Sequence, residues 1–486
     1  MKFNKRWLLL ILFIAFAYRA PTLDAPIIGE HSWRQADTAA MARNFSENGY
    51  RILHPQIDWV GQTSGEVECE FPLYPFLVSL LYKIFGVSEI WARALSLLFS
   101  MVSIVFFYLL VRDHADEKTA LWSSAFLAIL PLNALFGCAV MPEPLMLMAS
   151  VCGVYYFSKW TRTNNYWHFG VSALLIATAC LLKIPCLYLG APLLYLAWVR
   201  FRSRVLWTPS LWLYALLILA PVGLWYFHAH RIFLDTGLTF GIWEYGEDKW
   251  GNWDFVLSWK YWNRILLNRL AHRHLTWFGF AVFLTGLCLK RKNKKEWLFD
   301  VWLVGLVVFL FIVGRGNYIH NYYQLPLLFP VTVFIGKVYA RYFHLPIGRS
   351  AASIALIVVF VVVIITSTIN LIKFRKRENP AVSSVFQLAE NLKDVSNQSD
   401  KVIIITNSDP TLFYLAHRKG WRESLTSLPL ESVRKRIEQG AMFIAGTYGK
   451  KDWSDIEAQR FDDLQSEYNV ITKNDRFYII RLVAAK

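Results

Sequence analysis

Long apolar blocks separated by short polar connectors fill the chain from residue 7 to residue 372. Block length separates a membrane span from a core helix, because about twenty apolar residues cross the hydrocarbon region. Each such block must be helical, since lipid offers free backbone N–H and C=O groups no partner. The blocks at 7–20, 91–111, 119–137, 144–160, 167–182, 187–199, 207–226, 276–289, 297–313, 322–340 and 351–372 predict about eleven spans. Two long polar segments, 21–90 and 227–275, interrupt the series. Within the first, the apolar stretch 71–85 is short and bounded by loop signals, so it reads as a helix lying along the membrane or re-entrant.

Beyond residue 375 the pattern changes. Helical spacing over 382–395 is followed by Lys401-Val-Ile-Ile-Ile-Thr406, a buried-strand pattern. A helix at 430–439, a strand at 441–445 and a closing strand at 477–482 follow. The expected fold is therefore a mainly α, polytopic membrane domain over 1–375 and a small soluble α/β domain over 376–486. That second domain carries no Gly-rich phosphate loop and no catalytic cluster, which suits a recognition or structural role.

Composition agrees with lipid. Of 486 residues 55% are hydrophobic and only 18% charged, where a soluble domain carries about a quarter charged residues. The 21 Trp and 23 Tyr suit a headgroup belt. A net charge of +16 raises the question of nucleic acid, but much of it sits in clusters between spans, such as Arg200, Arg202 and Arg204, then Lys290 to Lys295. Basic loops of this kind set topology, and no nucleic-acid motif is present. The basic segment 1–6 ahead of an apolar run reads as an uncleaved first span with a cytoplasmic N-terminus. Eleven spans then place both long segments and the C-terminal domain outside the cytoplasmic membrane. One basic cluster, Lys373 to Arg377, runs against the charge rule. The six Cys show neither CxxC nor a Cys/His spacing suited to zinc.

Candidate chemistry gathers in the first outer segment, at Glu30-His31-Ser-Trp-Arg34-Gln-Ala-Asp37. Residues 36–45 read as an amphipathic helix, with Arg34, Asp37 and Met41 on one face. A carboxylate there can take a proton from a hydroxyl while the cation holds an anion. Ordinary ion pairs on a solvated helix account for any one of these groups, but less well for the cluster. Further polar residues stand at outer span ends: Glu143 between two prolines, Lys183 beside Pro185, Arg315, and His320 and Tyr323 in His-Asn-Tyr-Tyr-Gln-Leu-Pro. Ionisable groups at membrane depth are costly and usually functional, although Lys and Tyr also serve as interfacial anchors. Arg34, Lys183 and Arg315 suit a phosphate or pyrophosphate. Glu66, Glu68 and Glu70 alternate, so Glu68 and Glu70 could ligate a divalent ion, Mg or Mn; a solvated acidic edge is the simpler account.

In their order and spacing, several segments resemble the GT-C superfamily of polytopic glycosyltransferases, which includes the lipid A aminoarabinose transferase and the protein O-mannosyltransferases. They are Ala36-Asp-Thr-Ala-Ala-Met-Ala-Arg-Asn-Phe-Ser-Glu-Asn-Gly49, Glu70-Phe-Pro-Leu-Tyr-Pro-Phe76 followed by Ile84-Phe-Gly-Val-Ser88 and the Arg93 helix, Met141-Pro-Glu-Pro-Leu145, Leu181-Leu-Lys183 and Tyr322-Tyr-Gln-Leu-Pro-Leu-Leu328. The resemblance implies transfer of a sugar from a polyprenyl-phosphate-linked donor, at the outer membrane face, to a glycan, lipid or protein acceptor. A first-loop carboxylate would be the general base, here Asp37 or Glu30, with His31 a third candidate. Arg34 and Gln35 stand where the family usually has an Asp-Glu pair. Glu143 would orient the acceptor or the first-loop helix. Lys183 and Arg34 would stabilise the leaving phosphate. The rival readings are a transporter or flippase of lipid-linked glycans, a glycan polymerase or ligase, and a non-catalytic scaffold.

Overall fold

The computed structural model describes residues 5–241, 250–343, 350–406, 409–448 and 453–482. Part of the expected basic N-terminus (1–4), part of the second long segment (242–249) and Asn407 and Ser408 lie outside the described residues. The chain divides into two compact units, one formed by 1–23, 93–228 and 241–372, the other by 24–92, 229–240 and 373–486.

The first unit is helical. Among the described residues, five helical stretches are long and apolar enough to cross a membrane: Glu89–His114, Ile184–Trp207, Pro209–Thr236, Asn321–Tyr342 and Ala351–Arg377. The other expected spans also fall on helices, but shorter, broken or more polar ones. Pro131 shows why, since it ends the Glu117–Ile129 helix by holding Leu130 at ψ 131. Length and composition thus identify five of the expected spans among the described residues. The Leu328–Tyr342 helix is buried without a break from Leu328 to Tyr339. Glycines let its neighbours come close: a Cβ at Gly336 would strike the Thr119 carbonyl, and one at Gly286 the Phe334 carbonyl. Small residues at crossings are how helices pack where lipid removes the hydrophobic drive.

The second unit holds a five-stranded sheet of β1 (Lys401–Ile405), β2 (Lys419–Glu423), β3 (Ala441–Thr447), β4 (Asn469–Lys473) and β5 (Phe477–Arg481). The order is β2-β1-β3-β5-β4, with β1 parallel to β2 and β3, and β5 antiparallel to β3 and β4. The side-chain period of two divides β1 between two cores. Val402 and Ile404 join Leu388, Leu392 and Phe413 on one face, while Ile403 and Ile405 join Val433 and Phe461 on the other.

The unit also contains the polar segment that follows residue 23. Its Ser32–Glu47 helix is buried from Arg34 through Phe45, charged residues included. The amphipathic helix expected over 36–45 therefore has its polar face covered as well, which rules out the solvated helix weighed against it. Arg43 donates to the Tyr414 carbonyl at 3.0 Å and to Asp58 at 2.5 Å, and the Tyr414 hydroxyl donates to Glu89 at 3.0 Å. Two backbone bonds join the segment to the sheet edge. Gly61 N–H donates to the Gly420 carbonyl at 2.8 Å, and Gly420 N–H to the Asp58 carbonyl at 3.2 Å.

Candidate functional site

The sequence-selected residues fall into two groups, one in each unit. In the unit with the sheet, His31 opens the Ser32–Glu47 helix with φ 52 and ψ 38, a left-handed conformation that few non-glycine residues adopt. Its carbonyl accepts the first helical N–H groups, from Arg34 at 3.0 Å and Gln35 at 3.2 Å. Glu30 lies 4.0 Å from the His31 ring and 3.5 Å from the exposed Arg377 guanidinium. Two turns into the helix, Asp37 is only 4% exposed. Its Oδ1 accepts the Trp59 indole N–H at 3.0 Å. Burial pushes the Asp37 carboxyl up to about 7, against the pull of Trp59, Arg34 and Arg422, while Asp58 adds to the rise. A carboxylate poised there is a competent base near neutral pH, because proton-transfer efficiency peaks when the pKa matches the working pH.

Arg34 donates to Glu70 at 2.6 Å and lies over the Phe240 ring at 4.8 Å. The alternating carboxylates go to separate partners. Glu66 meets His54 at 3.1 Å; Glu68, fully buried, accepts from the Thr239 hydroxyl and lies 3.7 Å from His230. Among the described residues no three His, Cys, Asp or Glu side chains gather in a way that could hold a metal ion. Glu68 thus meets a hydroxyl and an imidazole, and Glu70 a guanidinium. The solvated acidic edge is corrected, because Glu68 is enclosed.

In the helical unit, Glu143 begins the Glu143–Thr163 helix directly after Pro142 and is 1% exposed. Lys183 ends the Tyr166–Leu182 helix, where Pro185 forbids continuation. Their side chains meet at 3.3 Å. The Lys183 ammonium also sits 5.4 Å from the Tyr323 ring centre and 5.6 Å from that of Tyr322. These four residues share the lining of a small cavity with Tyr188 and Pro326. His320 stacks at its margin, 5.3 Å from Tyr322 and 5.4 Å from Tyr323. Arg315 is exposed and lies over Phe255 at 5.8 Å, away from that lining.

Comparison with known structures decides what this architecture is. ArnT from Cupriavidus metallidurans, in the crystal structure bound to undecaprenyl phosphate, superimposes with a TM-score of 0.66 at 12% identity, over 99% of both chains. Its apo form gives 0.65 at 12% identity, over 99% of this chain and 98% of that one. The chain has a GT-C fold. The Archaeoglobus fulgidus oligosaccharyltransferase, solved with Zn and sulfate, shares it with a TM-score of 0.56 at 13% identity, over 91% of this chain and 68% of that one. The family model for dolichyl-phosphate-mannose-protein mannosyltransferases matches residues 70–226. No curated protein matches.

The chain also holds functional candidates that sequence reasoning missed. Trp59 and Arg422 at Asp37 are two of them. Another is a cavity of about 350 Å³ in the helical unit, lined by Lys260, Arg264, Arg269, Arg273, Asn263 and Asn268 among others. The π-helix Asn263–His274 brings its arginines together. Spacings of five and four residues wander on an α-helix but keep to one side of this wider helix. Arg269 caps the carbonyls of Tyr318 at 2.8 Å and Ile319 at 3.0 Å. Burial and the neighbouring Arg264 and Arg273 bring its guanidinium down to about 10. Crowded cations of this kind attract an anion.

Proposed function

We propose that the protein is a membrane glycosyltransferase that moves a sugar from a polyprenyl-phosphate-linked donor to a glycan, lipid or protein acceptor of the cell envelope. The observation that carries this reading is Asp37: a buried carboxylate on the first loop helix of a GT-C fold, half-ionised near neutral pH and bonded to Trp59. The acceptor hydroxyl attacks the anomeric carbon and its proton passes to Asp37. The new O–C bond forms as the bond from carbon to the phosphate oxygen breaks, and that oxygen leaves with the electron pair. Lys183, paired with Glu143, is the cation proposed to stabilise the charge that grows on the phosphate. The undecaprenyl phosphate bound to ArnT supports a polyprenyl carrier.

Eleven spans with Asp37 and the C-terminal domain beyond the cytoplasm complete the proposal. Its parity is supported within one unit. Backbone bonds from Gly61 and Asp58 to Gly420, and from Glu68 N–H to the Leu238 carbonyl at 2.9 Å, cannot run through a bilayer. The chain therefore crosses an even number of times between 92 and 229, and again between 240 and 373. The expected spans number six and four. Cysteines placed at the exposed Ser64 and Glu431, in a chain lacking Cys288, are expected to react with an impermeant maleimide from the same side, the extracytoplasmic face of the membrane. Labelling from opposite sides sinks this topology.

The activity itself is tested with purified protein in vesicles carrying radiolabelled polyprenyl-phosphate sugar and envelope acceptor fractions. Label is expected in the acceptor, with polyprenyl phosphate released. Movement of intact donor across the vesicle without bond cleavage would establish a flippase instead.

A further inference from the structure

We propose that the C-terminal domain is a working part of the site, because its edge strand β2 and Arg422 hold Trp59 in position against Asp37. The proposal rests on Asp37 being the base and adds what orients it.

Trp59 lies between the two residues of its loop, Asp58 and Gly61, whose backbones pair with Gly420 on β2. Gly420 sits so close to β1 that a Cβ would strike the Val402 backbone. The indole packs against the core formed by Val402, Ile404, Leu412 and Phe413, and also against that of Met41 and Ile57. One ring thus joins the sheet to the helix that carries Asp37. Along β2, Trp421 points to the opposite core, which leaves Arg422 on the face of Trp59. Its guanidinium lies 4.3 Å from the Trp59 ring centre. Stacked against a guanidinium and fixed by its loop, the indole has little freedom except to direct its N–H at Asp37, 3.0 Å away.

The titratable groups facing Asp37 are Arg34 on its own helix, Asp58 and Cys69 from the segment that follows and Arg422 from β2. Arg34 and Asp58 are each tied to an opposite charge, Glu70 and Arg43. Arg422 and the indole N–H both favour the carboxylate form, so losing either favours the acid. Trp59 and Arg422 are positioning residues in this scheme; neither touches the reacting atoms.

The test is the pH profile of sugar transfer by the full-length protein. Trp59→Phe keeps the ring and removes the donor, and is expected to move the acid limb upward by about one pH unit. Arg422→Gln is expected to move it the same way by less, and Arg422→Lys to restore part of the shift. An acid limb unmoved in both Trp59→Phe and Arg422→Gln overturns the proposal. A second readout needs no turnover: the infrared carboxyl band that Asp37→Asn abolishes should titrate at higher pH in Trp59→Phe. If Asp37→Asn itself retains transfer, the base assignment fails, while an infrared shift in Trp59→Phe still supports the contact and its absence refutes it.

Discussion

Asp37→Asn is expected to lower sugar transfer by about 10²–10⁴-fold while leaving the folded protein at least as stable as the parent at pH 8. The amide oxygen still accepts the Trp59 N–H, so the helix keeps its partner. What disappears is the lone pair that takes the acceptor proton. Stability moves the other way because of linkage. The folded carboxyl ionises at about 7 and the free one at 3.8. As pH rises from about 4 to about 7, the unfolded chain releases this proton while the folded chain keeps it, so the parent loses stability across that window and levels off above it. An amide at this position does not titrate and carries no such dependence. Melting temperatures in detergent should therefore separate in favour of the variant between pH 4 and 7, the gap then holding constant. Full transfer by the variant would shift the base to Glu30 or His31; lost transfer together with lost protein would make Asp37 structural.

Much of the helical unit was legible because block length is a strong signal: apolar runs mark helices wherever lipid must be crossed. The sheet was half legible for a related reason. Strands β1, β3 and β5 lie inside the sheet and are nearly all apolar, as in Lys401-Val-Ile-Ile-Ile405. Strands β2 and β4 are its edges, and Lys419-Gly-Trp-Arg-Glu423 looks like a loop because one side of an edge meets solvent or a charged neighbour. The candidate chemistry was visible as residue types but not as partnerships. Nothing local says that Arg34 meets Glu70, or that the cover over Asp37 comes from Trp59 and from Arg422 near the far end of the chain. Burial of the Ser32–Glu47 helix was hidden for the same reason, its partners coming partly from the following loop, at Asp58 and Glu70, and partly from Tyr414 far along the chain. The arginines of the π-helix escaped because their spacing shares a face only when the helix is wider than α.

Lys183→Met should cost both activity and stability, and a double variant separates the two. Glu143 is 1% exposed, and beyond the ion pair with Lys183 neither of its carboxylate oxygens has a hydrogen-bond partner among the described residues. Removing the ammonium strands a buried carboxylate, a loss of about 3–5 kcal/mol when one partner of such a pair is deleted. Glu143→Gln takes the carboxylate from the buried ammonium instead. The double Glu143→Gln, Lys183→Met chain buries no unpaired charge, so it should recover most of the stability that either single variant loses. Activity should not follow. If the ammonium stabilises the departing phosphate, every chain without it is expected to transfer sugar about 10²–10³-fold more slowly, as when one donor to a developing oxyanion is removed. Lys183→Arg keeps the charge, and its planar fork cannot place a single donor between Tyr322 and Tyr323 as the ammonium does, so partial activity is expected. Melting curves and transfer rates on the same four proteins decide the matter. Transfer restored along with stability in the double variant would reduce Glu143 and Lys183 to a structural pair and leave the phosphate to the arginines of the π-helix.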